Sequence, residues 1–146
     1  MKVAVASDHR GFEPKRRLLP LLKKLGHEVN DLGCETPAMC DYPDLAVLVG
    51  RAVASGKDEI GILLDGTGIG MSVAANKIKG IRAALVHDEV TARTAREKNH
   101  CNVLCLGTDL LSEDQIRKIV EIFLSTPWTD GRHTQRVKKV MDLEKG

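Results

Sequence analysis

Three glycines alternate along one short segment of the chain, Gly66, Gly68 and Gly70, directly after an apolar run and before a helical pattern. Residues without a side chain let a ligand approach the backbone closely. The N-terminus of the following helix adds partial positive charge to the N–H groups there. The segment therefore predicts a cradle for an anion or an oxyanion. Its spacing is neither a dinucleotide fingerprint nor a P-loop, and a tight turn without a ligand is the alternative interpretation.

Two side chains that could act on a bound substrate flank the first of these glycines. Asp65 could take a proton from a carbon next to a carbonyl group, and Thr67 follows on the other side. The neighbouring N–H groups would hold the enediolate oxygen that this step creates. An ordinary aspartate is a weak base with a pKa of ~3.9, and burial would raise that pKa. The alternative interpretation is that Asp65 caps the following helix.

Polar residues elsewhere in the chain could bind the rest of a substrate. Asp8 and His9 follow the first apolar run, and His9 either binds an anion or is a solvated loop residue. Arg132 and Arg136 are four residues apart, so they share one face of the predicted last helix. Two guanidinium groups near a helix N-terminus suit a phosphate, and a solvated basic face is the alternative.

The elements that must position these residues alternate regularly along the chain. Apolar runs predict strands over residues 3–7, 28–31, 59–64, 81–86 and 102–106. Amphipathic stretches predict helices over 13–25, 43–55, 71–77, 88–98, 113–124 and 132–143, with Ser112 and Gln115 forming a capping box. The alternation predicts an α/β fold in which a parallel sheet is covered on both faces. The loops after the strands then share one edge, where ligands bind in such sheets.

Length and composition bound the class of protein. The 146 residues suit a single domain, 1–146. A net charge of +2 and 3% aromatic residues do not favour nucleic acid as a partner. No apolar run approaches the ~18 residues of a membrane span, and the first residues do not resemble a secretory signal, so we expect a cytoplasmic protein. The four cysteines are then expected to be reduced thiols, with a disulfide or a metal site as the alternative.

Several motifs together resemble the type B ribose-5-phosphate isomerases and the related galactose-6-phosphate isomerase subunits, over nearly the whole chain. The matching segments are Ser7-Asp8-His9-Arg10-Gly11, Asp41-Tyr42-Pro43-Asp44, Gly66-Thr67-Gly68-Ile69-Gly70-Met71-Ser72, Ala74-Ala75-Asn76-Lys77, Gly80-Ile81-Arg82-Ala83-Ala84, Asn102-Val103-Leu104, Gly131-Arg132-His133 and Gln135-Arg136-Val137. The resemblance implies a three-layer α/β/α sandwich, Rossmann-like, with a five-stranded parallel sheet. It implies a homodimer or tetramer in which each site is shared between subunits and the C-terminal helix extends to a partner subunit. It implies neither a metal nor an organic cofactor. The implied reaction interconverts an aldose and a ketose phosphate through an enediolate.

The resemblance also assigns roles to individual residues. Sugar contacts would come from Asp8, His9 and Tyr42. Thr67 would assist ring opening or positioning, and Asn99 would bind the substrate from the partner subunit. The oxyanion N–H groups would come from Gly66, Gly68, Ile69 and Gly70, and the phosphate would be held by Arg132 and Arg136.

Three positions depart from the family pattern. Asp65 stands where the pentose isomerases usually have the proton-transferring cysteine, and Met71 cannot replace it as a base. Lys98 stands at the position of the ring-opening histidine, and His100, a candidate substrate contact, follows two residues later. Asp109 stands in the loop after the fifth strand, where a basic residue is common, so one phosphate contact is lost.

These departures leave three interpretations open. Asp65 is the proton shuttle of an isomerase acting on a pentose phosphate such as ribose 5-phosphate, with Lys98 or His100 opening the ring. Alternatively, the substrate is a tetrose phosphate, which cannot close a furanose ring and needs no ring opening. In the third interpretation, the chain is a non-catalytic partner subunit or a phosphosugar-binding member of the family.

Overall fold

A computed structural model describes all residues, 1–146, and its centre is a five-stranded sheet in which every neighbouring pair of strands is parallel. The strand order is β2-β1-β3-β5-β4. The strands are β1 (Lys2–Ser7), β2 (Glu28–Asp31), β3 (Ile60–Asp65), β4 (Ala83–Leu85) and β5 (Val103–Gly107). We call the side where these strands begin the amino edge and the side where they end the carboxyl edge.

Helices cover both faces of this sheet, so the predicted three-layer α/β/α architecture is confirmed. The helices are α1 (Phe12–Lys24), α2 (Tyr42–Ala54), α3 (Ile69–Ala75), α4 (Glu89–Glu97), α5 (Glu113–Ser125) and α6 (Arg132–Asp142), followed by a 3₁₀ turn, Leu143–Lys145. Apolar side chains of α1, α4 and α5 form one core, and those of α2 and α3 form the other. None of the helices is long and apolar enough to cross a membrane.

The two cores are separated by the alternation of side chains along the strands. In β1, Val3 and Val5 belong to the core under α1, whereas Ala4 and Ala6 belong to the core under α2. Every residue of β3 is buried, because this strand is central and helices cover both of its faces. This explains why the strand is a continuous apolar run in the sequence rather than an alternating pattern.

All predicted strands and helices form, and their ends differ by a few residues. The largest difference is in β4, which has three residues instead of the six predicted over 81–86. It lies at the border of the sheet and pairs with β5 alone. Helix α3 starts at Ile69, because Gly68 ends the loop in the left-handed conformation, with φ of 80°. The predicted capping box of Ser112 and Gln115 is present at the start of α5.

The expectation that all four cysteines are reduced is wrong for one pair. Cys34 and Cys40 are joined by a disulfide in the loop after β2, because the loop turns back and brings both residues to the end of β1. Cys34 donates its N–H to the carbonyl of Ser7, and Cys40 donates its N–H to His9. Cys101 and Cys105 are free and buried, as expected, and burial raises the pKa of the Cys101 thiol to about 11.

Candidate active site

The topology of the sheet brings the loops after β1 and β3 together at the carboxyl edge. From β1 the chain moves outward to β2, and from β3 it moves to the other half of the sheet, so the two loops diverge from adjacent strands. Such a switch point leaves a crevice in which ligands bind. Asp8 begins one loop, and its N–H donates to the carbonyl of Leu64, which precedes Asp65 in the other. The predicted meeting of these two loops is therefore confirmed.

The glycine loop leaves several N–H groups free at this edge. The N–H groups of Gly66, Thr67 and Gly70 donate to no acceptor within the chain. Gly68 differs, because its N–H donates to Asp65, and the N–H of Ile69 donates to Thr67 Oγ1 at 3.3 Å. Free backbone donors held in a fixed loop can stabilise an oxyanion without reorganisation.

The loop after β5 packs against this loop so closely that no side chain fits between them. A Cβ atom on Gly107 would lie 2.5 Å from the carbonyl oxygen of Thr67. Thr108 donates its N–H to the carbonyl of Asp65 at 2.8 Å, and Asp109 donates its N–H to that of Gly66 at 3.0 Å. These contacts fix the backbone on one side of the free donors.

The carboxylate of Asp65 is buried, with 5% of the residue exposed, and it is tied to the loop that follows. Its Oδ1 accepts the Gly68 N–H at 2.6 Å, a contact within the loop to the residue before α3 rather than to the first turn of the helix. Burial raises the pKa of Asp65, and the negative charges of Asp8 and Asp109 raise it further, while hydrogen bonds from Gly68 and Met71 lower it. Because the net shift of the Asp65 pKa is upward, the carboxylate is a stronger base than an ordinary aspartate.

Three more predicted substrate contacts lie around the glycine loop. Asp8 is buried, and its Oδ1 accepts the N–H groups of Arg10 and Gly11. His9 Nδ1 accepts the N–H of Cys40 at 3.4 Å, so a neutral ring carries its proton on Nε2 and can donate it to a ligand. Tyr42 packs its ring against Gly70, where an added Cβ would lie 2.5 Å from the ring.

An ion pair that the sequence interpretation missed crosses the same edge. Arg10 and Asp109 form a salt bridge between the loops after β1 and β5. Asp109 was interpreted only as the loss of a phosphate contact. The sequence signal for this ion pair is the position of Arg10 directly after the first strand, because the loops that follow the strands are expected to meet at one edge.

A second group of predicted site residues lines a groove elsewhere. Lys98, Asn99 and Arg136 border a groove of about 910 Å³ between β4, α4 and α6. His133, which was not predicted, lines it too. Slight desolvation lowers the pKa of His133, and so do the positive charges of Arg132, Arg136 and Lys98. The two arginines and Lys98 therefore lie near His133, together with Glu97, whose charge acts in the opposite direction.

His100 does not face this groove. Its ring stacks on Trp128, with 4.5 Å between the ring centroids, and its carbonyl accepts a hydrogen bond from Arg82. The residue adopts a positive φ of 48°, which turns the chain away from α4. Burial and the charges of Arg82 and Arg96 lower its pKa. Of the two candidates for ring opening, only Lys98 lines the groove together with Asn99.

The two groups of site residues lie at opposite edges of the sheet in one chain. Helix α4 starts after β4 at the carboxyl edge and ends before β5 at the amino edge. Its nine residues span about 13 Å. Lys98 and the arginines near it therefore lie at the amino edge, whereas Asp65 lies at the carboxyl edge. The structure does not bring Asp65 and the arginine pair together within one chain.

Comparison with known proteins identifies the family. The model of the ribose/galactose isomerase family matches residues 3–140. The chain belongs to this family. It is 38% identical over 143 residues to ribose-5-phosphate isomerase B of Escherichia coli, covering 98% of this chain and 96% of that protein.

Solved structures of family members have the same fold. A Clostridium thermocellum ribose-5-phosphate isomerase B has a TM-score of 0.97 and 43% identity, covering 99% of this chain and 98% of that one. The Mycoplasma genitalium ribose-5-phosphate isomerase B with bound ribulose-5-phosphate has a TM-score of 0.94 and 42% identity, covering 99% and 96%. These findings confirm the expected class of enzyme, an aldose–ketose isomerase of phosphosugars.

The raised pKa of Asp65 predicts a pH-dependent cost to stability. Because the folded state binds this proton more tightly than the unfolded state, stability falls as pH rises from the ordinary carboxyl pKa through the raised value. We expect Asp65→Asn to increase the free energy of unfolding at about pH 8 and to leave it unchanged at about pH 3.5, below both values. Urea denaturation at the two pH values measures the difference.

The control for this prediction is Asp58→Asn. Asp58 is buried to the same degree as Asp65, and it accepts a hydrogen bond from Asn30 instead of lying in the glycine loop. This variant should not increase stability at the higher pH. If Asp65→Asn instead lowers the free energy of unfolding at about pH 8, the ionised carboxylate stabilises the folded state and the prediction is wrong.

Proposed function

We propose that this isomerase uses Asp65 to move a proton between two adjacent carbons of a sugar phosphate. The supporting observation is the position of a buried carboxylate beside the free N–H groups of Gly66, Thr67 and Gly70. The Gly68 N–H holds Oδ1 and so fixes the carboxylate beside these free donors. No other acid–base side chain stands at this position of the loop.

The reaction needs one base and one oxyanion site. Asp65 takes the proton from C2 of the open-chain aldose, and the electrons of that C–H bond move toward the carbonyl to give an enediolate. The free N–H groups bind the enediolate oxygen. Asp65 returns the proton to C1, while the hydroxyl proton moves from O2 to O1, which gives the ketose. The reaction is balanced without a redox cofactor. In this proposal the enzyme needs neither a metal nor an organic cofactor, and residues 1–146 form one catalytic domain.

The phosphate would be held by a second copy of the chain. Arg132 and Arg136 are too far from Asp65 in one chain, but a partner copy could present them to the carboxyl edge. Helix α6 supports this arrangement, because it carries both arginines and none of its residues is buried. Exposed apolar residues beside the site also suit a covering partner. They are Tyr42, Ile69, Val73 and Val90.

A pentose phosphate is the substrate that the relatives favour. The Clostridium thermocellum and Escherichia coli relatives are ribose-5-phosphate isomerases, and the Mycoplasma genitalium structure holds ribulose-5-phosphate. We therefore propose ribose 5-phosphate and ribulose 5-phosphate as the substrate pair. Lys98, with Asn99 beside it in the groove, would assist ring opening from the partner copy, and His9 and Tyr42 would contact the sugar hydroxyls.

A tetrose phosphate is the second candidate substrate. The observation in its favour is that His100 is stacked on Trp128 and does not line the groove with Lys98. Values of kcat/KM for ribose 5-phosphate and for a tetrose 4-phosphate separate the two substrates. Efficient turnover of the pentose phosphate alone removes the second candidate.

Asp65→Asn is the variant that tests the proposed base. The amide keeps the shape and the acceptor for the Gly68 N–H, but it cannot accept the substrate proton, so we expect kcat to fall by roughly 10²- to 10⁴-fold. Asp58→Asn is the matched control and should retain turnover. Retained turnover in Asp65→Asn would remove Asp65 as the base. If wild-type chain binds phosphosugars without turning them over, the non-catalytic interpretation is correct.

Subunit mixing tests whether the site is shared. Asp65→Asn and the double variant Arg132→Gln/Arg136→Gln should each be inactive alone. When the two chains are unfolded together and refolded, half of the dimers are mixed and each has one intact site, so about a quarter of wild-type activity should return. Two variants of the same group, Arg132→Gln and Arg136→Gln on separate chains, are the control. Failure of the first mixture to recover activity, with dimers present, would place the site within one chain.

A further inference from the structure

The Arg10–Asp109 ion pair lies directly over the first residue of the glycine loop. A Cβ atom on Gly66 would lie 2.9 Å from Arg10 Nε and 2.9 Å from Asp109 Oδ2. Gly66 carries one of the free N–H groups and follows Asp65 in the chain. The guanidinium is therefore beside the place where the enediolate oxygen would bind, and the side chain of Arg10 remains 59% exposed, so a ligand can reach it.

Backbone contacts fix both members of the ion pair. The N–H of Arg10 donates to Asp8 Oδ1 at 2.9 Å, and the carbonyl of Arg10 accepts from Thr108 Oγ1 at 3.4 Å. Asp109 is held by its own N–H, which donates to the carbonyl of Gly66. The pair thus joins the loops after β1, β3 and β5, which are all at the carboxyl edge.

The charges around Gly66 are mostly negative. Asp8, Asp65 and Asp109 are close enough that the first and last of them raise the pKa of Asp65. A dianionic phosphosugar would be repelled by three carboxylates. Lys15, another cation at this edge, is 2% exposed and is bound to Asp31 and to the carbonyl of Cys34, so it faces no ligand. Arg10 is the cation that lies among the three carboxylates and is open to solvent.

We propose that Arg10 is a substrate-binding residue that lets this carboxylate-rich site accept an anionic sugar phosphate, and that the negative charge of Asp109 partly offsets the positive charge of Arg10. A guanidinium here donates hydrogen bonds to substrate oxygens at the reacting end. Its positive charge also reduces the repulsion between the carboxylates and the substrate phosphate. The proposal rests on the function proposed for Asp65, because the charge of Asp65 is part of what Arg10 offsets.

The proposal makes the two members of the pair act with opposite signs on substrate affinity. Loss of Arg10 leaves Asp109 unpaired and makes the site more negative, whereas loss of the Asp109 charge makes it more positive. If the ion pair only held the loops together, loss of Arg10 and loss of Asp109 would change KM in the same direction. The sign of the effect on KM therefore separates a substrate-binding role from a purely structural one.

The experiment compares Arg10→Gln, Asp109→Asn and the double variant with wild-type chain. For Arg10→Gln at low ionic strength we expect KM to rise about tenfold with kcat changed less than about threefold, and the rise to shrink at high salt. For Asp109→Asn we expect KM to stay the same or to fall. The double variant should have a KM between those of wild-type chain and Arg10→Gln, because its net charge is restored but the guanidinium donors are absent.

The control is Arg117→Gln. Arg117 is a similarly exposed arginine that pairs with Asp114 and Glu121 on α5, away from the glycine loop. Its loss should leave KM unchanged.

Binding of inorganic phosphate by calorimetry gives a readout that does not depend on turnover. If Arg10→Gln weakens phosphate binding and raises KM while Asp109→Asn does neither, the proposal stands. If both single variants raise KM by similar factors, or if Arg10→Gln leaves KM unchanged, it is overturned. Should wild-type chain show no turnover, the function proposed for Asp65 fails, and the phosphate titration alone still decides the role of Arg10.

Discussion

The candidate site depends on a buried carboxylate at the end of the central strand. Asp65 is excluded from solvent by the neighbouring loops and yet remains at the carboxyl edge, where β1, β3 and β5 end together. Burial raises its pKa, and the Gly68 N–H fixes one of its oxygens. This contact within the loop therefore limits the orientation of the carboxylate. In the proposed mechanism the structural and catalytic roles of this side chain are not alternatives, because the contact with Gly68 holds the proposed base in place.

The topology of the fold explains why the residues proposed to bind phosphate are separate from the proposed base. A parallel sheet requires each helix to return from the carboxyl edge to the amino edge. Lys98 and Asn99 follow such a returning helix, and the arginines of α6 lie near them. One chain thus carries the proposed base at one edge and the residues proposed to bind the phosphate at the other. A pair of chains in which each α6 reaches the opposite carboxyl edge would complete two sites at once.

Much of the fold could be predicted from the sequence because local signals and the global pattern agree. The continuous apolar strand β3, the capping box at Ser112 and the glycine loop each pointed to the element that forms. The motifs then identified the family. What could not be predicted depends on contacts between distant segments. The Arg10–Asp109 pair, the stacking of His100 on Trp128 and the Cys34–Cys40 disulfide join residues whose proximity no local pattern specifies.

The most direct test of the central claim is solvent exchange at the reacting carbon. The wild-type chain and Asp65→Asn are incubated with ribulose 5-phosphate in D₂O, and deuterium at C1 is followed by NMR. A carboxylate that takes and returns this proton exchanges it with solvent, so the wild-type chain should label C1 and the variant should not. Labelling by the variant at the wild-type rate would contradict the account, because another group would then be the base.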